Sequence, residues 1–199
     1  MPPTRYLNYH YPMTPKQKLL ALAEWIPDEA EADHYGRGDT IQAFEAEIAA
    51  LLGKEAAVWF PSGTMVQQIA LRMWCDRRDS HTVLYHPTSH LAIHERDAYR
   101  VLHHLHAVHL GPKDGLFTLA DLQAALTTLS EPGGALLIEL PQREIGGQLP
   151  TWEELVQIVE TAHAAGIYCH LDGARLWECG PYFSRPYAEI AALFDSVYV

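Results

Sequence analysis

The chain has 199 residues, of which 48% are hydrophobic and 20% charged, so it is long enough to bury one substantial core. Fourteen basic and 25 acidic side chains give it a formal net charge of −11, which would repel nucleic-acid phosphates and anionic lipid. We therefore expect neither a nucleic-acid partner nor a membrane partner.

The first predicted elements are helices. Thr14 followed by Pro15 is typical of a helix start, and Pro27 marks the end of that helix. Apolar side chains recur at helical spacing over residues 40–52, and Gly53 stands where a helix cap is expected. A short buried strand at residues 56–60 and a helix at residues 64–75 are predicted next.

Beyond residue 80, strand and helix patterns alternate. Thr118 with Asp121, and Thr151 with Glu154, have the spacing of capping boxes before amphipathic helices. Alternating elements with short connections predict a three-layer α/β/α fold, in which helices cover both faces of a mostly parallel sheet. The predicted strands are residues 82–85, 107–110, 135–140, 167–171 and 196–199, with a further helix from about Leu91.

The sequence His-Leu-Asp-Gly-Ala-Arg at residues 170–175 ends one of these strands. It leaves Asp172 and Arg175 at the carboxyl edge of the sheet, which is where open α/β sheets bind ligands. Taken alone, such a motif is more often a strand-end turn with a surface ion pair.

A second motif, Pro-Ser-Gly-Thr at residues 61–64, stands between a predicted strand and a predicted helix. The start of a helix carries unpaired N–H groups and partial positive charge, and Gly63 lets a ligand approach the backbone closely. With the Thr64 hydroxyl as a further donor, the segment suits a phosphate group. The alternative is a plain helix cap made by Ser62.

His90 and His94 form a third motif, because residues four apart share one face of a helix. Both imidazoles could face one site. The alternatives are a metal-binding pair of His-x-x-x-His spacing, or one exposed histidine beside one functional histidine. No third ligand with suitable spacing stands nearby, so no metal site is predicted.

These motifs, in this order and spacing, resemble the L-threonine aldolase group of the β-eliminating lyases. The resemblance runs from Tyr35-Gly36 to Asp195-Ser196. It implies the large domain of a fold-type-I enzyme, related to aspartate aminotransferase and dependent on pyridoxal 5′-phosphate (PLP). On this basis we expect residues 1–30 to form an amino-terminal segment and helix, and residues 31–199 to form an incomplete PLP-binding large domain.

The resemblance also implies roles for single residues. Asp172 would pair with the pyridine nitrogen of PLP and keep it protonated, since a nearby negative charge favours the charged form. His90 would stack on the ring, and His94 replaces an aromatic residue common in the family. Expected cofactor contacts are Ser62, Gly63, Thr64, His90, Glu139, Asp172, Ala174 and Arg175, expected catalytic residues are His90, His94, Asp172 and Arg175, and expected substrate contacts are Tyr35 and Gln142.

The sequence departs from the family pattern in three places. Gln142 stands where the family has a histidine facing the substrate hydroxyl, and glutamine cannot act as a base. Leu7-Asn8-Tyr9-His10 replaces the family's Arg-Ser-Asp-Thr stretch. The lysine that binds PLP covalently in the family follows the segment that matches residues 195–199, so we expect the chain to be part of a longer enzyme.

The function expected from the resemblance is cleavage of β-hydroxy-α-amino acids to glycine and an aldehyde by a homodimer or homotetramer. Three cysteines without a Cys-x-x-Cys pair, and an amino terminus without a signal-peptide pattern, predict a cytoplasmic protein. One alternative is another PLP-dependent β-eliminating lyase that acts on a different amino acid, and another is a catalytically silent binding or assembly domain. The base is left open between His94 and a bound water.

Overall fold

The structure, a computed structural model, describes residues 13–199. The segment at residues 7–10 lies outside the described residues, so its comparison with the family stays a prediction. The chain divides into two compact units, Met1–Gln42 and Ala43–Val199. None of the helices within residues 13–199 combines the length and the apolarity needed to cross a membrane.

Two helices precede the Pro-Ser-Gly-Thr motif at residues 61–64. Helix α1, Pro15–Trp25, begins as predicted: the Thr14 hydroxyl accepts from the Gln17 N–H at 3.3 Å, and the Thr14 N–H donates to the Gln17 side chain. Its apolar side chains are exposed, since α1 buries no residue. Helix α2, Asp39–Leu52, ends at Gly53, whose φ of 62° confirms the predicted cap.

The second unit contains a sheet of five strands that pair in parallel. This confirms the mostly parallel sheet. The strands lie in the spatial order β2-β1-β3-β4-β5, so the chain crosses over from β2 to β3 past β1. They are β1 (Thr82–Tyr85), β2 (His106–His109), β3 (Gly133–Glu139), β4 (Tyr168–Asp172) and β5 (Ser196–Tyr198).

The core has two parts because successive strand residues face opposite sides of the sheet. Leu136 of β3 packs in one cluster, and Leu137 packs in the other. All seven residues of β3 are buried, as expected for a central parallel strand. The helices are α3 (Gly63–Arg78), α4 (His90–Ile93), α5 (Ala98–His103), α6 (Leu119–Thr128), α7 (Trp152–Ala164), α8 (Leu176–Phe183) and α9 (Tyr187–Ala192).

The strand predicted at residues 56–60 is wrong, because this segment is irregular. Val58 is 69% exposed and Trp59 is 52% exposed, so the apolar run is not buried. The Trp59 N–H donates to the Glu45 side chain of α2 instead of to a neighbouring strand. A short apolar run without alternation does not distinguish a buried strand from such a segment.

The helix predicted from Leu91 is divided into α4 and α5. Arg96 and Asp97 separate the two pieces with positive φ angles of 51° and 58°, which a continuous right-handed helix excludes. The capping box of Thr118 and Asp121 is confirmed, with bonds in both directions. The Thr151 hydroxyl accepts from the Glu154 N–H at 3.2 Å. Within residues 13–199, the Thr151 N–H makes no reciprocal bond to the Glu154 side chain, so this capping box is only half formed.

Leu136→Ala should lower the free energy of unfolding by about 2–5 kcal/mol, since it opens a cavity in the central strand. Val101→Ala is the matched control, because Val101 is 61% exposed and its loss should change stability by no more than about 0.5 kcal/mol. Urea denaturation of both variants measures the difference. Equal midpoints for the two variants would contradict the position of the core.

Candidate active site

A cavity of about 210 Å³ lies at the carboxyl edge of the sheet. It brings together residues from all three sequence motifs, which are separated along the chain. The predicted residues that line it are Ser62, Gly63, Thr64, His90, Glu139, Asp172, Ala174 and Arg175. Sequence reasoning missed three further lining residues, which are Gln67, Glu95 and Tyr198.

A larger cavity of about 300 Å³ lies beside the amino ends of β4 and β5. There Asp195 Oδ2 lies 2.9 Å from His163 Nε2 and accepts from the Cys169 N–H at 2.7 Å. These three side chains are close enough to share a metal ion, but Arg77 and Arg78 line the same cavity and would disfavour a cation. The Asp195 contacts join α7 to β4, so we assign them a structural role.

Asp172, the last residue of β4, places a buried carboxylate in the smaller cavity. One of its oxygens accepts from the Ala174 N–H at 3.2 Å. Burial raises the pKa of the Asp172 carboxyl above its usual range, and the hydrogen bond from the Ala174 N–H offsets this in part. The carboxylate therefore retains acceptor capacity for a ligand that brings a proton donor.

Glu139 lies opposite Asp172 in the register of β3 and β4. Its carboxylate accepts from the His90 N–H at 3.1 Å, the Arg143 N–H at 3.2 Å and the Gln142 amide at 3.4 Å. Burial and then the charge of Asp172 raise the pKa of the Glu139 carboxyl. Because Glu139 uses both oxygens within the protein, it holds the loops after β1 and β3, and its cofactor contact stays a prediction.

The His90 ring is held by a buried glutamate. His90 Nδ1 lies 2.9 Å from Glu95 Oε1, and the other Glu95 oxygen accepts from the Gln68 amide. The Glu95 side chain is fully buried, whereas that of His90 is 38% exposed. Glu95 thereby fixes the orientation of an imidazole on the cavity wall.

His94 lies beside His90 but does not line the cavity. The two ring centroids are 5.0 Å apart, and the rings are tilted by 41°. His94 Nε2 lies 3.0 Å from Glu144 Oε1, and the pair is partly exposed. Each histidine therefore engages its own carboxylate, which does not favour the alternative of a shared metal ion.

The first turn of α3 contributes Gly63 and Thr64 to the cavity. Ser62 is the N-cap residue, but its side chain makes no capping bond, so the alternative of a plain side-chain cap is not observed. Among residues 13–199 the first N–H groups of α3 have no acceptor, so they are free for a ligand. Gly63 is needed for a reason the sequence did not reveal, since a Cβ there would overlap the hydroxyl of Tyr198.

Neither predicted substrate residue is among those that line the cavity. Gln142 is buried, and its amide contacts Glu139 while its backbone pairs with Gln148. Tyr35 belongs to the first unit, where its side chain is 96% exposed. Their contacts with substrate stay predictions.

Comparison with known proteins gives one consistent family. The β-eliminating lyase family model matches residues 25–199. A probable low-specificity L-threonine aldolase 2 from Arabidopsis thaliana is 31% identical over 175 residues, which are 85% of this chain and 49% of that protein. The low-specificity L-threonine aldolase of Saccharomyces cerevisiae is 28% identical over 82% of this chain and 43% of its own length.

Solved structures agree with the sequence comparison. A Listeria monocytogenes protein, described as a candidate L-allo-threonine aldolase, superposes with a TM-score of 0.85 and 52% identity, over 91% of this chain and 49% of that one. A Leishmania major threonine aldolase superposes with a TM-score of 0.75 and 26% identity, over 92% and 54%. The chain thus spans about half the length of the relatives it matches.

Asp172→Asn should raise the free energy of unfolding of the ligand-free protein near neutral pH. The pKa of Asp172 is raised in the fold, so ionisation destabilises the native state above that pKa and has no effect once the carboxyl is protonated in both states. The advantage of the variant should shrink as the pH falls into the ordinary carboxyl range.

Urea denaturation at pH 7.5 and at pH 4 measures this difference. Asp114→Asn, at an exposed position, is the matched control and should show little change at either pH. A variant less stable than the parent at pH 7.5 would show that the Asp172 carboxylate stabilises the fold.

Proposed function

The chain belongs to the β-eliminating lyase family, and from that premise we propose that it carries most of the PLP-binding domain of a threonine-aldolase-type enzyme. The complete protein would cleave β-hydroxy-α-amino acids to glycine and an aldehyde. The observation that carries this proposal is the single cavity in which a buried carboxylate, an oriented imidazole and a free helix start lie together.

The donors and acceptors of the cavity fit PLP. The N–H groups at the start of α3 and the Thr64 hydroxyl suit the phosphate, and the partial positive charge there favours an anion. The buried Asp172 suits a protonated pyridine nitrogen, which would neutralise a carboxylate left without a cationic hydrogen-bond partner among residues 13–199. The His90 ring, oriented by Glu95, suits the face of an aromatic ring.

PLP, when bound, provides the electron sink for the pair released as a bond at the substrate Cα breaks. Asp172 would hold a proton on the ring nitrogen, without which that sink is weak. Arg175 lies in the same cavity and has a planar guanidinium group that can donate to the ring hydroxyl or to a substrate carboxylate. The Ala174 side chain is only a methyl group, which would leave room in the cavity for a ring.

A retro-aldol cleavage also needs a base for the proton of the β-hydroxyl group. Gln142 cannot serve, both because an amide is not basic and because its side chain contacts Glu139. We propose His94 as the base: it does not line the cavity itself, but it lies next to His90 on the cavity wall, and its Nε2 contacts Glu144. If Nε2 carries the proton toward Glu144, Nδ1 is the free acceptor.

We further infer a homodimer or homotetramer located in the cytoplasm. Helix α3 carries three exposed apolar side chains four residues apart, Met65, Ile69 and Met73, which form a stripe suited to another subunit. All three cysteines are free and buried, which agrees with a reducing compartment. The partner molecules are then a second copy of the chain and a small amino acid.

The complete protein, supplied with PLP, should be yellow, lose that colour on borohydride treatment, and release equal amounts of glycine and acetaldehyde from L-threonine. Asp172→Ala should remove most of this turnover without unfolding the protein. Chromatography of the products and absorbance spectra test both statements. A different product spectrum would indicate another lyase of the family, and a protein that stays colourless would exclude PLP chemistry.

His94→Phe should lower the cleavage rate by roughly a hundredfold or more, which is the usual size of acid–base catalysis, while PLP affinity stays unchanged. Phenylalanine preserves bulk and restores the residue type common in the family. Glu144→Gln should give a smaller loss, because it weakens only the orientation of the His94 ring. Turnover of the His94 variant within a few-fold of the parent would instead assign the base to a bound water.

A further inference from the structure

The side-chain amide of Gln67 lies between a buried histidine and the cavity. Gln67 is 2% exposed, and its Oε1 is 2.8 Å from His170 Nε2. Its Nε2 is buried and has no hydrogen-bond partner in the part of the chain that the structure describes. Gln67 also lines the cavity, so a ligand there that contacts its side chain could supply the missing partner.

Trp74 fixes the direction of one of the hydrogen bonds that link Trp74, Ser196 and His170. The indole Nε1–H is only a donor, and it lies 2.7 Å from the Ser196 hydroxyl oxygen. Within residues 13–199 the remaining contact of that hydroxyl is His170 Nδ1, at 2.7 Å. Because this hydroxyl has no other hydrogen-bond acceptor within residues 13–199, the arrangement favours donation of its proton to Nδ1, which places the proton of a neutral imidazole on Nε2.

The position of the proton on His170 determines the orientation of the Gln67 amide. Burial lowers the pKa of His170 to about 4, so its ring is neutral and carries one N–H near neutral pH. That N–H, on Nε2, needs an acceptor, which is Gln67 Oε1. With the proton on Nε2, the reversed amide would place two donors against each other, so this tautomer requires Oε1 to face His170. The amide nitrogen is consequently turned away from His170.

The nearest phosphate donors lie one helical turn before Gln67. Gly63 is four residues earlier on α3, and side chains of a helix lean toward its amino terminus. The Gln67 amide thus extends along the face that presents the free N–H groups of the first turn. An anion bound there would supply the acceptor that the buried amide lacks.

We propose that Gln67 anchors the phosphate of PLP through its Nε2, and that Trp74, Ser196 and His170 hold the amide in that orientation. The proposal rests on the proposed function, that is, on PLP as the ligand of this cavity. Gln67 is the binding residue, and the three residues behind it are positioning residues. A buried amide left unpaired is costly, whereas a hydrogen bond to a charged phosphate is stronger than a neutral one.

The test compares PLP with pyridoxal, which lacks the phosphate. Equilibrium dialysis of the complete protein gives the dissociation constant of each compound for the parent and for Gln67→Met. The variant should bind PLP about 10-fold to 100-fold more weakly, which is the usual loss of a charge-assisted hydrogen bond, and bind pyridoxal within a few-fold of the parent. The ratio of the two affinities is the readout, and a merely structural role would not change it.

Two further variants complete the design. Gln68→Met is the matched control, because Gln68 is the next residue of the same helix and its amide contacts Glu95. It should change both affinities by the same factor. Gln67→Glu keeps an acceptor for His170 but replaces the donor with an oxygen that repels phosphate at pH 8. It should bind PLP at least as weakly as Gln67→Met, and it decides the question if Gln67→Met does not fold.

The outcomes distinguish PLP binding in this cavity from the anchoring of its phosphate by Gln67. A parent protein that binds neither compound would overturn the proposed function. A parent that binds PLP, with an unchanged affinity ratio in the Gln67 variants, would overturn the anchor alone. Nitrogen NMR of His170 provides an independent check, since the relay requires the proton on Nε2. A proton on Nδ1 would reverse the direction derived from Trp74 and overturn the proposal.

Discussion

Two carboxylates held next to each other at the end of the central strands determine how the site is built. Glu139 and Asp172 are paired in the register of β3 and β4, and both are buried. Burial of two acids costs free energy unless donors surround them. Main-chain N–H groups of His90, Arg143 and Ala174 provide those donors, so the loops after three strands are attached to the acids. The sheet register thus positions the two carboxylates, and their hydrogen bonds position the loops.

Much of this arrangement could be predicted from the sequence. Strand ends, helix starts and caps depend on neighbouring residues, and the strands, the Thr14 cap and the start of α3 follow those local rules closely. The family resemblance assigned the motifs around Gly63, His90 and Asp172 to one site, and a parallel sheet explains their meeting because it gathers the carboxyl ends of its strands at one edge. All eight predicted cofactor residues line the same cavity.

The remaining features depend on partners distant in the chain. Gln67 contacts His170 across 103 residues, and Trp74 contacts Ser196 across 122, so no spacing rule could reveal them. Glu95 stands only five residues from His90, but its role depends on a break in the helix that produces two positive φ angles. The strand predicted at residues 56–60 shows the opposite error. Its residues are apolar, but within residues 13–199 they pair with no neighbouring strand.

Helix α3 serves two purposes in successive turns of one face. Its first turn and Gln67 line the cavity, while Leu71, Trp74 and Cys75 pack in the core. Substitutions that relax this packing would move the ligand donors as a rigid unit. Over evolutionary time, therefore, α3 has little freedom to change along this face, and sequence drift in this helix is expected to concentrate on its exposed stripe. New subunit contacts could arise there without a change in cofactor affinity.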